Sequence, residues 1–231
     1  MIVNFARSSA EAEATAAAVE AAGARAELAP GDVGSDEDCR RIAAIAERFR
    51  RVDALFNNAG VTRFARHGDL EALSADDFLQ VYQVNVIGAF QMARACRRLL
   101  EACPQTAAIV NTSSVAAVAG IGSSIAYAAS KGALNTLTLS LARALAPKIR
   151  VNAICPGFID TPWFGKGQGA AVADAAREKA RARTPLRAAS TADDIAASAL
   201  FLGGRAARHV TGETLLVDAG LHLDVGAYVA P

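Results

Sequence analysis

The chain has 231 residues, which is enough for one large core and, for an α/β sheet, for a single domain. Its 24 basic and 23 acidic residues are dispersed, so the charge indicates neither a nucleic acid nor an anionic membrane as a partner. The four cysteines form no C-x-x-C pair, which favours reduced thiols in a cytoplasmic protein over a disulfide framework or a metal site. No apolar run reaches membrane-spanning length.

Short apolar segments alternate with helical patterns along the whole chain. Strands are predicted at 1–5, 26–29, 52–56, 107–112, 149–154 and 212–217. Residues typical of a helix N-terminus precede several of the intervening helices, at Ser8, Ser35, Ser74 and Thr191. Repeated alternation of strand and helix predicts an α/β fold with a doubly wound parallel sheet. No repeat or linker divides the chain, so we predict one domain over residues 1–231.

The segment from residue 107 to 131 carries the most specific chemical pattern. An apolar strand ends near Ser113 and Ser114, and a helix with Tyr127 and Lys131 follows a loop. The Tyr-x-x-x-Lys spacing places both side chains on one helical face, one turn apart. We expect the nearby ammonium to lower the pKa of the phenol, so that Tyr127 exchanges protons near neutral pH. Taken alone, a surface helix with a solvated lysine explains the spacing equally well.

Several polar or glycine-containing segments follow other predicted strands. Asp32-Val33 follows the second strand, and Asn57-Asn58-Ala59-Gly60 ends the third. Pro156-Gly157, with Thr161 shortly after, follows the fifth. Asn85 lies among valines in a predicted helix, where an unpaired amide would be costly. The carboxyl ends of parallel strands are where open α/β sheets bind ligands, so these segments are candidate site residues.

These motifs, in this order from Met1 to about Gly220, resemble the short-chain dehydrogenase/reductase family. The resemblance implies a Rossmann-like fold and an enzyme that interconverts ketones and secondary alcohols with a nicotinamide cofactor. It implies catalytic roles for Asn85, Ser114, Tyr127 and Lys131, and it selects Ser114 over Ser113 by spacing. The cofactor-binding residues that it implies are Arg7, Asp32, Val33, Asn58, Ala59, Gly60, Tyr127, Lys131, Pro156, Gly157 and Thr161. Among them, the resemblance implies that Asp32-Val33 and the segment ending in Gly60 lie at the adenine side of the cofactor, and that Pro156-Gly157 with Thr161 lie at the nicotinamide side.

Arg7 follows the first predicted strand, where the family discriminates between NAD and NADP. A carboxylate there would accept a hydrogen bond from a ribose hydroxyl, whereas an arginine can pair with a 2′-phosphate. No Asp or Glu precedes Glu11, so we expect NADP to be preferred, with NAD also usable. A solvated loop arginine is the alternative interpretation.

One departure from the family concerns its first strand, glycine-rich turn and helix, which have no counterpart in this chain. We therefore expect an N-terminally truncated version of the fold, with two exposed strand edges and no phosphate cradle. The glycines at 120–122 and 165–169 are more typical of loops than of a substitute cradle. The alternative function is accordingly a non-catalytic scaffold, or a truncated form unable to bind cofactor.

Substrate and assembly are predicted only in outline. The chain looks most similar to 3-oxoacyl-carrier-protein reductases and sugar dehydrogenases, which implies a small-molecule ketone or alcohol substrate. Residues 162–187 are too polar for a sheet and are predicted to form a lid, with Trp163 and Phe164 as an apolar wall or anchor. The helices starting near Ala75 and Ile125 are apolar on more than one face, which favours a homo-oligomer. Family members are commonly homotetramers.

Overall fold

The computed structural model describes residues 1–161 and 170–224. The strands are β1 (Ile2–Phe5), β2 (Glu27–Pro30), β3 (Ala54–Asn57), β4 (Ala107–Thr112), β5 (Ile149–Pro156) and β6 (Thr214–Val217). The helices are α1 (Ser9–Ala21), α2 (Asp36–Glu47), α3 (Ala75–Tyr82), α4 (Ala89–Glu101), α5 (Ala116–Ala119), α6 (Ile125–Leu145), α7 (Ala170–Arg183) and α8 (Ala192–Gly203). A π-helical turn, Gln83–Gly88, joins α3 to α4.

All strand pairs in the described residues are parallel, as predicted, and they form two sheets. One sheet has the order β3-β4-β5-β6, and the other consists of β1 and β2. In the larger sheet Asn57 pairs with Asn111, and Thr112 pairs with Ile154. The carboxyl ends of β3, β4 and β5 therefore meet at one edge, where the loops that carry the predicted site residues begin.

A groove of about 2280 Å³ separates the two sheets. Within the described residues β1 pairs only with β2, and the outer strand β3 pairs only with β4. Residues of β1 and β3 both line the groove, together with apolar side chains of α2, α3, the π turn and α4, including Ile42, Val81, Val84 and Met92. β1 and β3 thus each have a strand edge without a partner among the described residues, which agrees with the two exposed strand edges that we expected.

Buried side chains cover both faces of the larger sheet, because successive residues of a strand point to opposite faces. Ile109 and Val151 pack into a core with residues of α2, α4 and α6. On the opposite face of the sheet, Val110 and Ile154 pack with Ile195 of α8 and with other buried residues. Helices on both faces confirm the predicted doubly wound α/β fold.

Capping explains where most of the predicted helices begin. Ser74 and Thr191 each form a capping box with the aspartate three residues later, and Ser35 accepts a hydrogen bond from the backbone of Asp38. Helix α1 begins directly after Ser8, as predicted, but the predicted side-chain cap is wrong, because the Ser8 hydroxyl makes no capping hydrogen bond. Its backbone ψ of 62° lies outside the extended conformation that the other three caps adopt.

Arg150 is a buried cation on β5 that ties α8 to the sheet. Its guanidinium donates to the carbonyl oxygens of Leu202, Gly204 and Val210, at 2.8, 3.0 and 3.2 Å. The first two carbonyls lie at the C-terminal end of α8, where helices leave carbonyls without internal partners and carry partial negative charge. The side chain therefore gives these carbonyls a charged donor, in addition to Asn152 Nδ2 at Val210 O and the N–H of Ala207 at Gly204 O.

We expect Arg150→Met to lower the free energy of unfolding by about 2–4 kcal/mol, because three buried carbonyl groups lose a charged donor. Urea denaturation followed by circular dichroism measures the change. Arg208→Met, at an exposed position on the same side of the molecule, is the matched control and should change stability little. Equal stability of the two variants would contradict this role for Arg150.

Candidate active site

Tyr127 and Lys131 lie in the first two turns of α6. Ser124 fixes the start of the helix, since its side chain accepts a hydrogen bond from the backbone N–H of Tyr127. The Lys131 Nζ atom is 5.6 Å from the centroid of the Tyr127 ring. The two side chains thus share one helical face, as the spacing predicts.

Ser114 follows β4 and faces Tyr127. Its side chain hydrogen-bonds the Tyr127 phenol and also accepts from the backbone N–H of Ala116. Ser113 is buried instead, and its hydroxyl donates to the backbone carbonyl of Lys131 at 3.2 Å. The structure therefore brings Ser114 to the phenol and gives Ser113 a role in holding α6 against β4.

Lys131 is only 3% exposed, although it carries an ammonium group. Its Nζ donates to the carbonyl oxygen of Thr112 at 2.7 Å, which connects the helix to the end of β4. Burial lowers the pKa of this amine to about 8, because desolvation disfavours the charged form. Lys131 thus keeps its proton at neutral pH but loses it at mildly alkaline pH.

The predicted lowering of the Tyr127 pKa is wrong. Burial raises the pKa of the phenol above its ordinary value, and the hydrogen bond with Ser114 offsets part of this rise. Desolvation outweighs the attraction of the nearby ammonium, which is directed toward Thr112. Tyr127 therefore keeps its proton at neutral pH, the form in which a general acid donates.

Asn85 lies in the π turn and is 1% exposed. Its Oδ1 accepts from the backbone N–H of Val61 at 2.8 Å, and its Nδ2 donates to Val61 O and to Ser130 Oγ, both at 3.0 Å. Both amide protons are therefore used in joining the loop after β3 to α6. π turns inside helices are frequent at functional sites, and Asn85 in this turn bonds Ser130, the residue between Tyr127 and Lys131.

The residues expected to bind the adenine side of the cofactor line the groove between the sheets. Arg7, Asp32, Val33 and the loop Asn58–Gly60 all contribute to its wall. Asp32 also shapes its own turn, since its Oδ1 accepts from the N–H of Gly34 at 2.8 Å. Val33 packs so closely on Gly88 that a Cβ at that glycine would lie 2.8 Å from the valine side chain.

The predicted nicotinamide-side residues lie at the end of β5. The carbonyl of Pro156 accepts from the backbone N–H of Val115, so this end adjoins the loop that carries Ser114. Gly157 approaches Asp218 so closely that a Cβ would lie 2.9 Å from the Asp218 Cβ. Thr161 is the last described residue before the gap. The structure thus places the end of β5 beside the loop that carries Ser114.

The predicted lid is described only in part. Trp163, Phe164 and the glycines at 165, 167 and 169 lie outside the described residues. The later part contains helix α7, which the sequence analysis missed, although alanine, arginine, glutamate and lysine favour helices. Arg177 of this helix forms a two-point ion pair with Asp160, at 2.7 and 2.9 Å. This pair ties α7 to the segment after β5.

The polar groups behind Lys131 were not predicted from the sequence. The Cys155 thiol at the end of β5 donates to Asn135 Oδ1 at 3.7 Å. Burial raises the pKa of this thiol, so it stays neutral beside the ammonium. No local signal marks these partners, because Asn135 and Cys155 are 20 positions apart and meet only when β5 packs on α6.

The described part of the chain has neither a metal-binding cluster nor a helix that could span a membrane. Among residues 1–161 and 170–224, no group of three His, Cys, Asp or Glu side chains is arranged to hold a metal ion. Every helix in that part is too short or too polar to cross a membrane.

Comparisons with known proteins agree with this architecture. The family model described as enoyl-(acyl carrier protein) reductase matches residues 1–222. A Streptomyces violaceoruber protein, assigned as ketoacyl reductase 2 of the granaticin polyketide synthase, is 40% identical, over 96% of this chain and 86% of its own length. The 3-oxoacyl-[acyl-carrier-protein] reductase of Thermotoga maritima is 34% identical, over 78% and 70%.

A solved structure of another protein has the same fold. Gluconate 5-dehydrogenase from Burkholderia cenocepacia, in complex with NADP and tartrate, superposes with a TM-score of 0.83 at 30% identity, covering 97% of this chain and 86% of that one. The chain belongs to the short-chain dehydrogenase/reductase family. It is an oxidoreductase of the class that acts on ketone and alcohol groups with nicotinamide cofactors.

We expect kcat/KM for ketone reduction to fall as the pH rises through about 8, where the buried Lys131 loses its proton. The raised pKa of Tyr127 keeps the phenol protonated in that range, so the lysine determines the fall. In a pH–rate profile, Lys131→Arg should move the fall to higher pH, because a guanidinium stays charged. Lys148→Arg, at an exposed position, is the control. A flat profile from pH about 7 to 10 would exclude this assignment.

Proposed function

We propose that this protein interconverts a ketone and a secondary alcohol by hydride transfer, with NADP as its preferred cofactor and Tyr127 as the proton donor and acceptor. The observation that carries this proposal is the joint position of Ser114, Tyr127 and Lys131 at the end of β4. The phenol is hydrogen-bonded by Ser114, and the buried ammonium of Lys131 lies 5.6 Å from its ring centroid.

In the direction of reduction, Tyr127 donates its phenolic proton to the substrate carbonyl oxygen. Ser114 hydrogen-bonds the same oxygen and orients it. The Lys131 ammonium stabilises the phenolate that remains, because an opposite charge nearby favours the ionised form. In the direction of oxidation Tyr127 accepts the alcohol proton. A bound nicotinamide supplies or takes up the hydride.

The described residues support binding of the adenine and nicotinamide ends of a dinucleotide, and none of them is assigned to its phosphates. The groove is about 2280 Å³ and has Arg7 and Asp32 on its wall as well as Asn58–Gly60 and Asn85. Gly60 leaves space beside the ammonium, since even a Cβ there would be 3.6 Å from Lys131 Nζ and from Asn85 Oδ1. We therefore propose that Arg7, Asp32, Val33 and Asn58–Gly60 bind the adenine side. We assign the nicotinamide side to Tyr127, Lys131, Pro156, Gly157 and Thr161.

The preference for NADP rests on Arg7. The side chain is exposed at the end of β1, on the wall of the groove, and the first acidic residue of the chain is Glu11. An arginine can form paired, charge-assisted hydrogen bonds with a 2′-phosphate, which NAD lacks. The related gluconate 5-dehydrogenase was solved with NADP.

The proposal also covers the oligomeric state of the protein and its location in the cell. Large apolar side chains are exposed on α3 (Leu79), the π turn (Ile87), α4 (Phe90) and α6 (Leu139). Their exposure supports a homotetramer that buries these helices. All four cysteines are free and buried, which is consistent with a reducing, cytoplasmic environment. The lid over residues 162–187 would complete the substrate pocket, with α7 fixed by the Asp160–Arg177 pair.

We expect Tyr127→Phe to lower kcat by about 10²–10⁴-fold, because the substrate oxygen loses its proton donor. Steady-state reduction of a ketone, followed by nicotinamide absorbance, measures the change. Tyr82→Phe is the matched control, since its hydroxyl donates only a long hydrogen bond of 3.4 Å to Ala129 O and lies on the exposed side of α3. Undiminished turnover by Tyr127→Phe would contradict the proposal, as would a parent protein that binds no nicotinamide.

We expect Arg7→Ala to raise KM for NADP by about tenfold or more while KM for NAD changes little, because only NADP loses a charged partner. Arg25→Ala removes another exposed arginine and serves as the control. If the KM of the parent protein for NAD is equal to or lower than its KM for NADP, the proposed preference is wrong.

A further inference from the structure

Ser130 lies between Tyr127 and Lys131 on α6 and is fully buried. Its hydroxyl donates to the backbone carbonyl of Tyr127 at 2.7 Å. The same oxygen accepts a hydrogen bond from Asn85 Nδ2 at 3.0 Å. One hydroxyl thus connects the turn that carries the phenol to the π turn that carries Asn85.

The connection continues to the wall of the cofactor groove. Asn85 holds Val61 from both sides, through the backbone N–H and the carbonyl of that residue. Val61 directly follows the loop Asn58–Gly60, which lines the groove. The chain of contacts therefore runs from the groove loop through Asn85 and Ser130 to the backbone of Tyr127.

We propose that Ser130 is a positioning residue that sets the place of Tyr127 relative to the cofactor loop. The proposal rests on the proposed function, since it takes Tyr127 as the proton donor. Alanine at position 130 would leave one Asn85 proton without its acceptor and would free the carbonyl of Tyr127 from its side-chain donor. The phenol would then lose part of its alignment with Ser114, and a displacement of about 1 Å can cost 10²-fold in rate.

A helical hydroxyl often bonds a carbonyl in the preceding turn without further consequence. Thr138, two turns further along α6, provides the comparison. It also donates to a helix carbonyl, that of Leu134 at 2.9 Å, and it also accepts from a buried asparagine, Asn111, at 2.9 Å. The two hydroxyls make the same kind of link, but only Ser130 lies in the turn of Tyr127.

The experiment compares Ser130→Ala with Thr138→Val in the whole protein. We expect both variants to lower the midpoint of thermal unfolding, because each leaves a buried amide proton unpaired. Only Ser130→Ala should lower kcat, by about 10–100-fold, with a smaller change in KM for the cofactor. It should also raise the pH at which the Tyr127 phenol ionises, because the hydrogen bond from Ser114 is weakened.

Ultraviolet difference spectra, with Tyr127→Phe as the subtracted reference, measure the ionisation of Tyr127 without any turnover. An unchanged ionisation midpoint and an unchanged kcat in Ser130→Ala would overturn the proposal and leave only a structural role. Equal loss of kcat in both variants would overturn it as well. Where Ser130→Ala fails to fold, Ser130→Cys keeps the shape with a weaker hydrogen-bonding group and must show the same two changes.

The outcomes for Ser130 and for the proposed function are separable. A parent protein without ketone reductase activity would refute the proposed function, and the Tyr127 titration would still decide whether Ser130 positions the phenol. Full activity in Ser130→Ala alongside inactive Tyr127→Phe would refute the role of Ser130 alone.

Discussion

The buried ammonium of Lys131 is the constraint on which the site depends. A charge taken out of water is costly unless it is hydrogen-bonded, and the carbonyl of Thr112 provides that bond at the end of β4. The same burial lowers the pKa of the amine to about 8. This value is still above neutral pH, so the amine keeps its charge there. Helix α6 must therefore keep a fixed position against β4, since a small shift would leave the ammonium without its partner.

Several hydrogen bonds between elements maintain that position. Ser113 holds the carbonyl of Lys131 from the strand side, and Asn85 reaches the helix through Ser130. Asn111 makes a comparable link to Thr138 further along the helix. These polar side chains are buried and paired, which keeps the cost of their burial low and gives the helix one preferred register. The same contacts that stabilise α6 thus fix the position of the Tyr127 phenol, which we propose as the proton donor.

Much of the fold could be predicted from local patterns. Alternating apolar segments and helical periods gave the parallel α/β class, and the capping boxes at Ser74 and Thr191 fixed two helix starts. Local patterns placed the start of α1 after Ser8 but did not show that its side chain makes no capping hydrogen bond, and they missed α7, whose apolar periodicity is weak. The two exposed strand edges were expected from the segment that the family has and this chain lacks, whereas the period of a single strand carries no information on which strands pair.

The sequence by itself determined which chemical groups are present and that Tyr127 and Lys131 share one face, because the helical period fixes that relation. It also carried enough motifs to indicate the family. Only the tertiary structure decided that burial raises the pKa of Tyr127, that Ser113 bonds the backbone of α6, and that Ser130 and Cys155 lie next to Tyr127 and Lys131. Desolvation and hydrogen-bond partners depend on residues tens of positions away, which become neighbours only when strands and helices pack.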